Sequence, residues 1–297
     1  MRPTRNQFSI TSLPSTDEAL STLVAVHHQE STGYRQSDYL QNIRAVVDDS
    51  CRQRMCQWCY EVVDFCKFNR ETVAIAMSYL DRFLMTGYGL SALQNRKRYQ
   101  LASMTALYTS IKINEPEVMD PNLLASISKG AITSNDIVIM EREMLKALEW
   151  RMQPPTAAAF CRLFVSLLQE EGLCNEALQR ILDYAIFQTE LAVKDGRLVA
   201  IAPSTVAFAA IANAVGDLGL GPMLDFAQTA VEICSINVEV CVSVRRRLMD
   251  STMMNNISIS SFCSPTVQDG MTLHLKPVCS TGNCQDSPSS VIDAMQQ

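Results

Sequence analysis

From about residue 51 to residue 249, apolar side chains recur at intervals of three and four with hardly a pause, and no stretch alternates apolar and polar as a half-buried strand must. That period is the period of the α-helix, so the chain is predicted to be all-α. With 297 residues, of which 47% are apolar and only 11 each are Gly and Pro, there is enough apolar material for one or two compact cores. The ends read differently. Residues 1–33 are mixed and weakly periodic, and residues 251–297 turn to Ser, Thr, Asn, Gly and Pro, so both are predicted to be flexible tails.

Between the tails the helices can be placed one by one. The first, over 51–67, puts Met55, Cys59, Val62, Val63 and Cys66 on one face. Asn69 should start the second, its side chain accepting from the free amides of Glu71 or Thr72; that helix presents Val73, Ala76, Met77, Leu80 and Leu84 and fades at Gly87 and Gly89. Further helices are predicted over 95–112 and 122–128, and from Ser134 or Asn135 to Trp150, where Pro154 and Pro155 stop the chain. That proline pair is read as a boundary. Beyond it five more helices are predicted, over 156–169, 175–193, 203–215, 223–234 and 237–249, so that two five-helix units (34–155 and 156–250) stand in tandem.

Charge and thiols narrow the function. A net charge of −6 argues against a nucleic-acid partner, whose phosphates need a basic excess. The first thirty residues have no apolar signal core, so the 11 Cys are expected to be reduced thiols inside a cell. The uncharged run 198–216 is interrupted by Pro203, Ser204, Thr205 and Asn213, which makes it a buried core helix rather than a membrane span. No nucleophile with a base, phosphate loop or metal cluster is legible, and the three histidines, His27, His28 and His274, fall in the predicted tails. No enzyme activity, cofactor or metal is therefore expected. Cys56 and Cys59 form a CxxC, but without a second pair at ligand spacing they read as small buried hydrophobes.

Four charged residues stand out beside apolar stripes. Lys112 ends an apolar helix and Glu141 follows core residue Met140, so each should lie at the edge of a packed face, open either to water or to a partner. Arg52 and Asp81 belong to neighbouring helices and could pair across them as a structural salt bridge.

The strings CRQRMCQWCYEV (51–62), ETVAIAMSYLDRFL (71–84), YQLASMTALYTSIK (99–112), IMEREMLKALEW (139–150) and PPT (154–156), in this order and spacing, resemble the N-terminal box of the cyclins over about residues 36–155. The second half resembles the C-terminal cyclin fold in size and helix count. The resemblance implies a regulatory partner of a cyclin-dependent kinase in cell-cycle control, in nucleus and cytoplasm, with Lys112 and Glu141 as kinase contacts and Arg52–Asp81 as the pair that ties the first two helices. It also places Cys51, Arg54, Met55, Trp58, Glu61 and Gln100 in a substrate-docking groove that could take kinase substrates or inhibitors. There Arg54 replaces an apolar residue and Cys51 a Met, and the added positive charge should repel basic docking peptides.

After Lys112 the family's acidic pair is reduced to Asn114 and Glu115. YLDRFL and ALEW are nearest in wording to D-type cyclins, although the Leu-x-Cys-x-Glu motif is missing from the N-terminus. Ser264 and Ser287, each followed by Pro, are candidate sites for a proline-directed kinase. The competing reading is a cyclin-fold adaptor in transcription without a kinase, like the B-type initiation factors. It would require basic surface and usually a zinc ribbon, and the sequence shows neither.

Overall fold

The computed structural model describes residues 9–34, 39, 46–128, 130–220, 224–255 and 257–262. Within them the chain folds into twelve α-helices and no strand. They are α1 (Thr16–Gly33), α2 (Asp49–Cys66), α3 (Glu71–Leu84), α4 (Leu90–Leu93), α5 (Arg96–Asn114), α6 (Pro121–Ile127), α7 (Ser134–Ala147), α8 (Ala157–Leu168), α9 (Asn175–Lys194), α10 (Pro203–Asp217), α11 (Leu224–Cys234) and α12 (Val238–Met254).

Caps explain where several of these begin. Asp48 accepts from the Cys51 amide at 2.9 Å and from the Ser50 hydroxyl at 2.7 Å, bonds that hold its carboxyl down at about 2. Asn69 accepts from the Glu71 amide at 2.9 Å, as its position predicts. Thr133 and Asp136 form a reciprocal capping box at the start of α7. Between α3 and α4 a side chain is excluded at Gly89, because a Cβ there would stand 2.1 Å from the Phe83 carbonyl oxygen.

Two cores result. The first gathers α2 to α7 around α5, which is buried on every side from Tyr99 to Ile111 except at half-buried Leu101. Two of its small hydroxyls bond to backbone, Ser103 donating to the Tyr99 carbonyl at 2.8 Å and Ser110 to the Thr72 carbonyl at 2.9 Å, while the buried Thr105 hydroxyl has no partner. The second gathers α8 to α12 around α10, whose Ala207, Ala209, Ala210, Ile211 and Ala214 are wholly buried. The uncharged run 198–216 thus lies in a protein core, and among the described residues no single helix is long and apolar enough to cross a membrane.

Two expectations need correction. Residues 16–33 are not a tail: α1 packs Ala19 and Leu23, both fully buried, into the second core, and His27 and His28 ride on this helix. Its stripe is narrow and holds a small residue, which is why the sequence looks weakly periodic there. Glu30 completes the docking, accepting from the Ser204 amide at 2.8 Å and hydroxyl at 2.7 Å at the first turn of α10. The predicted tail from 251 likewise starts too early. Helix α12 continues to Met254, and Phe262 packs its ring on Tyr184 and Phe187, with centroids 5.8 and 5.9 Å away. The predicted tail over 263–297, with His274, Ser264 and Ser287, lies outside the described residues.

The connector with Pro154 and Pro155 leads from one core to the other, and polar side chains stitch α2 and α3 to α8 and α9. Arg70 pairs with Glu190 at 2.8 Å, Arg162 with Glu71 at 2.9 Å, and Lys194 donates to Gln57 at 2.6 Å.

Candidate functional site

After its buried stretch from Tyr99 to Ile111, helix α5 leaves the core in its last turn, and there it carries Lys112. The ammonium lies 3.2 Å from both carboxylate oxygens of Glu141, which α7 brings across. The Lys112 side chain is 46% exposed and that of Glu141 only 11%, so the pair sits at a rim: cation outside, anion against the packed surface. Thr109 approaches the same carboxylate at 3.5 Å, and the ammonium lies 5.6 Å from the Tyr108 ring centroid. Two charges 29 residues apart in sequence are one feature in space. An exposed pair of this kind contributes about 0–1 kcal/mol to stability, too little to explain it as a fold requirement.

Apolar residues flank the pair along the same helices. Ile113 and Val138 are each 40% exposed. Beyond α7, Glu149 and Trp150 take left-handed backbone angles, φ +52° and +59°, and the turn closes through the Trp150 amide on the Leu145 carbonyl at 3.0 Å. Left-handed geometry costs about 1–2 kcal/mol per non-glycine residue, yet the outcome here is an indole 73% open to solvent. Sequence reasoning missed Ile113 and Trp150, since both continue an apolar stripe and only the end of the helix turns them outward.

Arg52 and Asp81 meet as a bidentate pair at 3.0 and 2.8 Å, with 3% of each side chain exposed. The third guanidinium contact is to the Val193 carbonyl at 2.7 Å, and Tyr39 donates its hydroxyl to Asp81 at 2.7 Å. Burial acts to lower the Arg52 pKa, but the charge and bonds of Asp81 overcome it and raise the value well above the usual. The pair joins α2, α3 and α9, so it fastens the two units together as well as the first two helices.

The expected docking groove is not open. Cys51, Met55 and Trp58 are fully buried and Gln100 is 2% exposed, leaving Arg54 and Glu61 as the only members that reach solvent. The reason is the central position of α5, which draws the inner face of α2 into the core. Glu61 is engaged by Gln57 at 2.9 Å, and Arg54 lies 3.4 Å from the Ser50 carbonyl. Asn114 and Glu115 are also structural: the Asn114 amide donates to the Ser110 carbonyl at 2.8 Å, and Glu115 accepts from the Asn69 amide at 3.0 Å and from the Thr72 hydroxyl.

Burial pushes the Cys56 thiol up to about 12 and raises that of Cys59 well above its ordinary range, so both stay protonated and unreactive. Among the described residues no group of three or more His, Cys, Asp or Glu is arranged to hold a metal ion.

The arrangement is a helical unit built around one buried rod, with a charge pair and exposed apolar residues at its rim. Residues 22–153 match the family model described as the cyclin N-terminal domain. That stretch, 132 of the 297 residues, is where the chain is similar to the cyclins. It is 31% identical over 176 residues to a putative cyclin-A3-1 of Arabidopsis thaliana, an alignment covering 59% of this chain and 47% of that protein. It is 29% identical over 208 residues to a G2/mitotic-specific cyclin-2 of Medicago sativa, covering 66% and 59% respectively. The chain thus spans about half the length of the curated relatives it matches. These relatives carry A-type and mitotic names, and no D-type label is attached to the chain. In fold it is similar to a viral cyclin from herpesvirus saimiri, with a TM-score of 0.61 at 15% identity over 79% of this chain and 96% of the other.

Proposed function

We propose that this chain is a regulatory subunit that binds a cyclin-dependent protein kinase and activates it in cell-cycle control, doing no chemistry itself. In kinases the C-helix glutamate must pair with the ATP-site lysine before phosphoryl transfer is efficient. A rigid face that packs against that helix activates to the extent that it contacts the active conformation better than the inactive one. The observation that carries this reading is the Lys112–Glu141 pair, held at 3.2 Å on an exposed rim with Ile113 and Val138 beside it. The ammonium supplies donors and the carboxylate acceptors, so the pair can trade its internal contact for a partner's polar groups while the apolar residues are covered.

The test is the double variant Lys112→Ala, Glu141→Ala, assayed by titration calorimetry against cyclin-dependent kinases from the same cells. Binding is expected to weaken by 2 kcal/mol or more, about thirtyfold, with an unchanged melting curve. Unaltered affinity for every such kinase would overturn the reading. The site of action is read as nucleus and cytoplasm, which imaging of a tagged chain checks directly.

A further inference from the structure

Helix α12 has two apolar stripes where a surface helix needs one. Cys241, Val244, Leu248 and Thr252 turn into the second core. Next to them a second stripe, Val238, Val242, Met249 and Met253, runs the length of the helix over about 22 Å, yet Val238 is 63% exposed, Val242 49% and Met253 67%. Against α10 this stripe borders a cleft of about 340 Å³.

The floor of the cleft is a polar network built in place. Asn213 donates to Gln188 and to the Arg245 carbonyl, both at 3.1 Å, and the Arg245 guanidinium donates back to Asn213 at 3.0 Å. Arg246 and Asp250 stand exposed on the rim. Two arginines against one aspartate leave the cleft with one net positive charge in a chain whose total is −6.

We propose that this cleft docks an amphipathic helix with acidic flanks, belonging to a partner protein. The observation behind it is the juxtaposition of an exposed apolar stripe with the positive rim. Stripe and cleft run parallel to a helix axis, so an incoming helix can lay apolar anchors at i, i+4, i+7 and i+11 into them, and methionines adapt to varied anchors. Its carboxylates meet Arg245 and Arg246, and a basic flank would meet the same charges as repulsion. The site lies on α10 and α12 of the second unit, whereas Lys112 and Glu141 lie on α5 and α7 of the first. It offers a substitute for the groove on α2 and α5 that burial has closed, with the opposite charge preference. Only the partner's identity, as a protein presented to the kinase, rests on the proposed function; the peptide binding itself does not.

Fluorescence anisotropy on the full chain alone tests this with two labelled synthetic helical peptides that share one leucine face, the first flanked by glutamates and the second by lysines. The glutamate peptide should bind and the lysine peptide should not. Arg246→Glu should weaken the first at least about tenfold and strengthen the second, while Met253→Asp should abolish binding of the first. These residues are exposed, so thermal unfolding should be unchanged. No binding of the glutamate peptide, equal binding of both peptides, or equal binding to wild type and Arg246→Glu would each overturn the proposal. So would a dimer in sedimentation that Met253→Asp dissolves, since a second copy would then cover the stripe. Retained kinase binding by these variants separates this outcome from failure of the Lys112–Glu141 face.

Discussion

The two central helices, α5 and α10, occupy equivalent places in their units and are built from different chemistry. α5 is lined with Ser, Thr and Tyr, bonds its Ser103 and Ser110 hydroxyls to backbone, and emerges at a charged residue. α10 has Ala, Val or Ile at eight of its fifteen positions, with Asn213 among them, and its first turn is bonded from outside by Glu30 of α1. A fold of this kind asks only that the central rod be narrow and fully covered; which small residues fill it is free. The difference leaves the first unit able to present a charge pair at its rim, and makes the second depend on a helix from the far end of the chain.

The strongest way to break that contrast is at the junction. Arg52→Ala or Asp81→Ala leaves one buried charge without its partner and should destabilise the fold by about 3–5 kcal/mol in urea titration. If the units were independent, hydrogen exchange would rise in the first alone; contact of Arg52 with Val193 predicts that α9 loses protection too. Gly89→Ala forces a Cβ against the Phe83 carbonyl and should cost about 1–3 kcal/mol in thermal unfolding, confined to the first unit.

Glu30→Ala strips the first turn of α10 of its acceptor and leaves the Ser204 amide buried and unbonded, an effect of about 1–3 kcal/mol. Hydrogen exchange should locate the loss in α10 and α1, not in α5, and loss spread over both units would refute the asymmetry. The smallest effect is a matter of pH. The Asp48 carboxyl is held at about 2 in the fold against 3.8 when free, so its stabilisation is complete above pH 4 and fades as pH falls toward 2. Asp48→Asn keeps a capping oxygen but does not titrate there; its stability relative to wild type should rise over that window, as differential scanning calorimetry would show.

Much of the first unit was legible because its helices repeat apolar residues on one face and are bounded by polar caps and prolines. The Asn69 cap and the stop at Pro154–Pro155 follow from such local signs, whereas the Arg52–Asp81 pairing was open in the residues and came from the resemblance. The capping box at Thr133 was legible as well, in the Thr-x-x-Asp spacing, and went unread in favour of Ser134 or Asn135. What stayed hidden lacked a local sign. α1 has a narrow stripe and an acidic anchor whose hydrogen-bonding partner lies 174 residues away, and Trp58 looks the same in sequence whether its outer edge is open or covered.

Periodicity therefore determined that the chain is helical and which faces of most of its helices turn inward, because 3.6 residues per turn ties side-chain direction to sequence spacing. The meeting of Lys112 with Glu141, the closing of the α2 groove, the seating of α1 and the second stripe left bare on α12 were decided only by tertiary packing. Each depends on which helices become neighbours, and a helix's own sequence says which face is apolar but not what will cover it.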